Sequence, residues 1–271
     1  MQQAIAILDS GVGGLTVAKE VMRQLPREQI LYFGDTARAP YGPRDSEEVM
    51  EFTRQIVDYL LQFRPKMIVI ACNTATAIAL YKIRSMVQIP VVGVIYPGAR
   101  AAIKSTRNGT IGVIGTENTI RSGAYQQALE SINPAIHVVS LACPRLVPLV
   151  ENRMFRSEEA KRVVEQSLRP LQQSDIDCLI LGCTHYPYLS AAISDVVGPG
   201  VSLISSANET AREISAILYH RGQLVESGEL PVHRFFCSGN PGLFQAIAQE
   251  WLGEQIRVSP VVWQMTRLSG H

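Results

Sequence analysis

One pattern occurs twice in this chain and limits what it can become. An apolar run from Met67 to Ile70 leads through Ala71 to Cys72, Asn73, Thr74, Ala75 and Thr76. A second run, Cys178 to Leu181, leads through Gly182 to Cys183, Thr184, His185, Tyr186 and Pro187. Apolar runs this short read as strands buried on both faces of a parallel sheet. The stretches that follow, Thr74 to Met86 and Ser190 to Val197, have helical character. Each cysteine is therefore expected at a strand-to-helix junction. Unpaired N–H groups at a helix start favour negative charge, which predicts thiols that ionise more easily. Ligands of open α/β sheets bind off the carboxyl ends of the strands. Two such thiols predict one site assembled from both halves of the chain.

The surrounding pattern repeats as well. In the first half, strands are predicted at Ala4 to Leu8, Ile30 to Gly34, Met67 to Ile70 and Val91 to Ile95, with helices at Leu15 to Leu25 and Glu47 to Phe63. The pattern restarts at Tyr96, Pro97 and Gly98. Strands then follow at Thr110 to Ile114, Ile136 to Leu141, Cys178 to Leu181 and Val201 to Ile204, with helices at Ser122 to Ser131 and Glu158 to Gln173. The same order in both halves reads as an internal duplication. A last helix–strand–helix set is predicted at Glu209 to Tyr219, Val232 to Cys237 and Pro241 to Leu252, returning to the first sheet. The expected fold is α/β. It has two pseudo-symmetric lobes, each a mostly parallel sheet flanked by helices, with the site at their interface. Residues 1–97 with 208–271 form the first lobe, carrying Cys72, and 98–207 the second, carrying Cys183.

Composition narrows the function classes. The 271 residues include 25 basic and 24 acidic side chains, a net charge of +1, so nothing marks a nucleic-acid or anionic membrane surface. No apolar run approaches the roughly 18 residues of a membrane span, and Met1 to Leu8 does not read as a secretory signal. The five cysteines, an odd number without a CxxC pair, argue for reduced thiols and cytoplasmic residence. His137, His220, His233 and His271 lack metal-ligand spacing, and no metal is expected. Cys143, Cys178 and Cys237 read as small buried hydrophobes.

Asp9, Ser10, Gly11, Val12, Gly13 and Gly14 follow the first strand. Their glycines permit a tight turn and a close backbone approach to a ligand. The stretch lacks the Lys-Ser/Thr of a P-loop, and Asp9 would repel phosphate, so a nucleotide is not expected. A second loop, Asp35 to Arg44, is rich in turn formers, and Asp45 or Ser46 can cap the helix after it.

With these stretches in hand, the chain resembles the glutamate racemases of the aspartate/glutamate racemase superfamily. The matching pieces are ILDSGVGGLTV (7–17), GDTARAPYG (34–42), ACNTAT (71–76), PLVE (148–151) and LGCTHYP (181–187). The resemblance implies a cofactor-independent enzyme that interconverts L- and D-glutamate and supplies the D-isomer for peptidoglycan. It implies a homodimer with a small-molecule substrate. Cys72 and Cys183 are the implied proton-transfer groups, and Asp9, His185 and Glu151 the auxiliary acid–base residues. Without the resemblance, Glu151 reads as a surface charge, Asp9 as a helix cap and Tyr41 as a packed loop aromatic.

The chemistry fits these residue types. Inverting a stereocentre by proton transfer needs a base on one face of the carbon and an acid on the other. Twin thiols meet that need when each titrates near the working pH. The carbanion needs fixed donors and exclusion of water. Asn73, Thr74, Thr184 and helix N–H groups are expected to supply them, Ser10 to bind the substrate's carboxylate or amine, and Tyr41 and Gly42 to close over it. Asp9 and His185 are expected to tune one thiol each. Three rivals stand beside this reading. The first is a sister enzyme acting on aspartate, a hydantoin or maleate. The second is a cysteine hydrolase with Cys183 and His185 as nucleophile and base. The third is a two-lobed binding protein without catalysis.

Overall fold

A computed structural model of the protein describes residues 3–263; the terminal residues, His271 among them, lie outside the described part. Its first sheet is built from β1 (Ile5–Asp9), β2 (Ile30–Gly34), β3 (Met67–Ile70) and β4 (Val91–Gly93), in the order β2-β1-β3-β4. The second is built from β5 (Thr110–Gly115), β6 (His137–Ala142), β7 (Cys178–Gly182) and β8 (Ser202–Ile204), in the order β6-β5-β7-β8. All pairings are parallel. The two orders are the same permutation, so β1 answers to β5 and β3 to β7. The first sheet is then extended by β9 (Arg234–Cys237) beside β2 and β10 (Val258–Pro260) beside β9. Strands β1, β3 and β7 are buried at every position, which is why they read as unbroken apolar runs rather than alternating ones.

Helices α1 (Leu15–Gln24), α2 (Ser46–Leu61), α3 (Asn73–Met86) and α4 (Ile95–Ser105) serve the first half. Helices α5 (Glu117–Arg121), α6 (Ala124–Ile132), α7 (Leu146–Glu151), α8 (Glu158–Leu168) and α9 (Ser190–Val197) serve the second, and α10 (Ser206–His220) and α11 (Pro241–Leu252) follow. Four details depart from the sequence expectations. Residues 95–105 form a helix where the sequence suggested a break, because Pro97 falls in the first turn, where its missing N–H is not needed. The expected helix at 122–131 is α6, which starts two residues later, after Gly123 with φ +65°, and the separate short helix α5 precedes it. The helix from Glu158 tightens at Arg169–Gln173 into a 3-10 turn holding Pro170. The short elements α7 and β10 were not expected at all.

One apolar cluster runs through both halves, joining Ile7, Leu15 and Val69 to Leu181, Tyr186 and Ile193. Helix α10 packs on both α1 and α4. Strand β3 adds Val69 and Ala71 to this cluster and β7 adds Leu179, Leu181 and Cys183, while Cys72 packs in a second cluster on the other face of the first sheet.

Candidate active site

Strand β1 delivers Asp9, fully buried, at its carboxyl end. The Gly11 N–H donates to Asp9 Oδ2 at 3.0 Å and the Thr184 hydroxyl to Oδ1 at 3.4 Å. Burial pushes this carboxyl above the ordinary aspartate range, against His185 and the amides of Gly14 and Gly11. The glycines beside it are also required by packing within the site. None of Gly11, Gly13 and Gly14 has a positive φ. A Cβ on Gly13 would stand 2.4 Å from Thr184 Oγ1, and one on Gly14 2.5 Å from Asp9 Cβ. The close approach is to the site's own side chains.

Strand β3 delivers Cys72, which caps α3. The Ala75 N–H donates to its sulfur at 3.4 Å, and the thiol reaches Ser10 Oγ at 3.7 Å. The helix start therefore does stabilise the sulfur, as the sequence suggests. Burial works the other way and wins, with Asp9 adding to it, and the thiol is pushed up to about 12. The helix's push toward an ionised thiol, expected from the sequence, is present, and burial outweighs it.

Strand β7 delivers Cys183, but no α-helix starts behind it. Tyr186–Leu189 form a 3-10 turn with Pro187 in it, and α9 begins only at Ser190. The sulfur's neighbour is instead His185 Nδ1, at 3.7 Å. Glu151, the last residue of α7, stands with Oε1 at 3.4 Å from His185 Nε2, close enough for an ion pair though not aligned as a hydrogen bond. Burial would lower the imidazole. Cys183 and Glu151 outweigh it, and His185 is raised to about 10.

Cys72 and Cys183 line one cleft, together with Ser10, Asn73, Thr184, His185 and Glu151. Asp9 lies beneath its wall rather than in it. The open space is only about 20 Å³, room for one or two waters. Asn73 accepts from the Tyr125 hydroxyl at 2.7 Å through Oδ1, while its Nδ2 is buried with no partner among the described residues. Thr74 Oγ1 meets Thr116 Oγ1 at 2.9 Å and Thr119 Oγ1 at 3.3 Å across the lobe boundary. Tyr41 and Gly42 line the cleft, yet the Tyr41 hydroxyl donates to Asp35, so only its ring and backbone are free for a ligand. Thr116 also lines the cleft and was not singled out in the sequence. The duplication held the clue, since Thr116 follows β5 as Ser10 follows β1. A mostly apolar cavity of about 330 Å³ lies beyond Glu151, its one titratable lining residue. Among the described residues no three His, Cys, Asp or Glu side chains converge as a metal site, and no helix is long and apolar enough to cross a membrane.

Comparison with known proteins fits this geometry to a family. A family model described as Asp/Glu/Hydantoin racemase matches residues 13–214. The chain belongs to the Asp/Glu/Hydantoin racemase family. The glutamate racemase of Bacillus cereus is 55% identical over 256 residues, covering 94% of this chain and 95% of that protein. The crystal structure of the glutamate racemase isoform RacE1 from Bacillus anthracis superposes with a TM-score of 0.93 at 52% identity, covering 96% of this chain and 97% of that one. The glutamate racemase of Francisella tularensis, solved in complex with D-glutamate, gives a TM-score of 0.90 at 32% identity and 98% coverage of both chains. Both structures share the α/β architecture of two parallel sheets flanked by helices.

Proposed function

We propose that this racemase-family protein interconverts L- and D-glutamate without a cofactor, using Cys72 and Cys183 as the two proton-transfer groups. The observation that carries the reading is the shared cleft: one sulfur comes from the end of β3 and the other from the equivalent end of β7. In one direction a thiolate removes the α-proton from one face, forming an S–H bond and a planar carbanion. The opposite thiol then gives its proton to the other face and becomes the thiolate. The reverse direction exchanges the roles. Asn73 Nδ2, which has no partner among the described residues, and the hydroxyls of Ser10 and Thr74 are the donors that hold the substrate's carboxylates and the developing charge, with Thr184 facing the same cleft. His185 stabilises the thiolate of Cys183 and Glu151 holds the imidazole charged. Asp9 orients Thr184 and sets the field at Cys72.

Three further elements travel with this reading. They are the lobe division at residues 97 and 208, a cytoplasmic homodimer, and supply of D-glutamate to peptidoglycan. The test is incubation of the purified protein with L-glutamate, D-glutamate and both aspartate enantiomers in heavy water without added cofactor. Circular dichroism should decay to zero from either glutamate enantiomer while deuterium enters at the α-carbon. Racemisation of aspartate alone, or no exchange at all, overturns the assignment.

A further inference from the structure

The loop that brings Tyr41 and Gly42 to the cleft is held in place by a residue from the far end of the described chain. Trp263 follows β10 and stands 228 positions beyond Asp35, yet its indole N–H donates to Asp35 Oδ1 at 3.0 Å. The Ser238 hydroxyl donates to the same oxygen at 2.7 Å. On the other oxygen, Arg38 Nε donates at 2.7 Å alongside the Tyr41 hydroxyl. Asp35 is fully buried, so all four contacts hold one carboxylate from the loop on one side and from the tail on the other. The Arg38 guanidinium is also clamped between two aromatic faces, 4.1 Å from the Phe52 ring centre and 4.3 Å from that of Trp263. Trp263 in turn packs on Phe33 of β2 at 5.4 Å between ring centres. A half-buried cation between two rings gains from both faces and loses rotational freedom. Across the cleft, the turn after Tyr41 is met by the second lobe: the Asn118 N–H donates to the Gly42 carbonyl at 3.3 Å.

We propose that Trp263 is a positioning residue of the catalytic cleft, fixing Asp35 and Arg38 and through them the stand of Tyr41 and Gly42 against bound substrate. The inference rests on the reading that the cleft between Cys72 and Cys183 is the reacting site. Tyr41 and Gly42 hold the substrate without carrying its proton, so their displacement weakens ground state and transition state alike. Such a loss raises KM and spares kcat.

The experiment compares Trp263→Ala, Trp263→Phe and the exposed neighbour Val262→Ala with the parent protein. Steady-state racemisation is measured in both directions. The rate of Cys72 alkylation by iodoacetamide, followed by peptide mass spectrometry without substrate, is measured alongside. Trp263→Ala is expected to raise KM about fivefold to tenfold with kcat within about twofold, and to speed alkylation severalfold as the loop loosens. Trp263→Phe keeps a ring over Arg38 but loses the N–H, and should fall between. Val262→Ala should match the parent. A purely structural tryptophan would lower the melting temperature and leave KM and alkylation unchanged, and that result overturns the proposal. If Trp263→Ala does not fold, Trp263→Phe decides by the same two readouts. If the parent itself does not racemise glutamate, the proposed function fails, and the alkylation rates alone still judge whether Trp263 governs the cleft.

Discussion

The two cysteine strand ends are alike in topology and unlike in how each treats its sulfur. Cys72 caps an α-helix, accepts from an amide N–H, donates to a serine hydroxyl, and lies in the field of a buried aspartate. Cys183 has no α-helix behind it and is served by an imidazole that a glutamate supports from the far side. The duplication determines where each sulfur stands, at the carboxyl end of the third strand of its lobe. The residues downstream determine what stabilises it. A pair of enantiomers thus meets two chemically different walls, even though the fold that presents them is repeated.

The largest test of this comparison removes each sulfur in turn. Cys72→Ala and Cys183→Ala should each lower racemisation by on the order of 10³-fold or more, since each deletes one proton carrier of the proposed mechanism. Each variant should still eliminate chloride from 3-chloroglutamate, slowly and with one enantiomer only, and the two variants should choose opposite enantiomers. Full racemase activity in either, or the same preference in both, breaks the assignment of one sulfur to one face. Next is His185→Gln, expected to lower kcat/KM by roughly 10²-fold. Because the enantiomers have equal free energy, the loss must be the same in both directions. The primary deuterium isotope effect need not be, and it should rise for the enantiomer whose proton Cys183 removes. Equal isotope effects would mean that His185 serves both sulfurs.

Alkaline stability separates the halves more gently. His185 is raised from 6.5 to about 10, so its stabilising contribution is complete below about pH 6.5 and is lost as pH rises through about 10. That loss amounts to at most about 1.4 kcal/mol per pH unit. Cys72, raised from 9.0 to about 12, contributes in the same sense in a higher window. Thermal melts should therefore fall less steeply between pH 7 and 10 in His185→Gln than in the parent, and the lines should run parallel if the imidazole is not raised. The smallest effect is expected from Ser10→Ala, which removes one long contact to Cys72. A loss of roughly 1 kcal/mol, a few-fold in kcat/KM, is the expected scale.

How much of this was legible beforehand follows from the physics of each element. Strands β1, β3 and β7 are buried throughout, so their side chains announce them without reference to neighbours. The lobe order followed from repetition alone. Helix α4 was hidden by Pro97 and Gly98, a pair that ends many helices but here opens one. Helix α7 has six residues with a proline among them, and β10 has three, too short for any period to show. The glycines of the first turn announced the turn but not their protein neighbours, because only the fold brings Thr184 and His185 against Gly13. The 3-10 turn behind Cys183 and the hold of Trp263 on Asp35 depend on contacts no local pattern records. Thr116 is an ordinary helix-cap hydroxyl and Thr119 a first-turn residue of the helix it caps, until Thr74 meets both.

That meeting of three threonines has a consequence for turnover. The seam where the lobes touch over the cleft is stitched there by neutral hydroxyls and by Asn118 reaching backbone carbonyls, not by ion pairs. Stitches of that kind are worth about 1 kcal/mol each, and water can take their place as they part. The cleft beneath them has room for one or two waters, so a ligand the size of glutamate fits only where the cleft is wider. A lock of opposed charges would have kept the chamber drier and left the product stranded inside. Neutral stitches let the same closure that excludes water come undone again within a catalytic cycle.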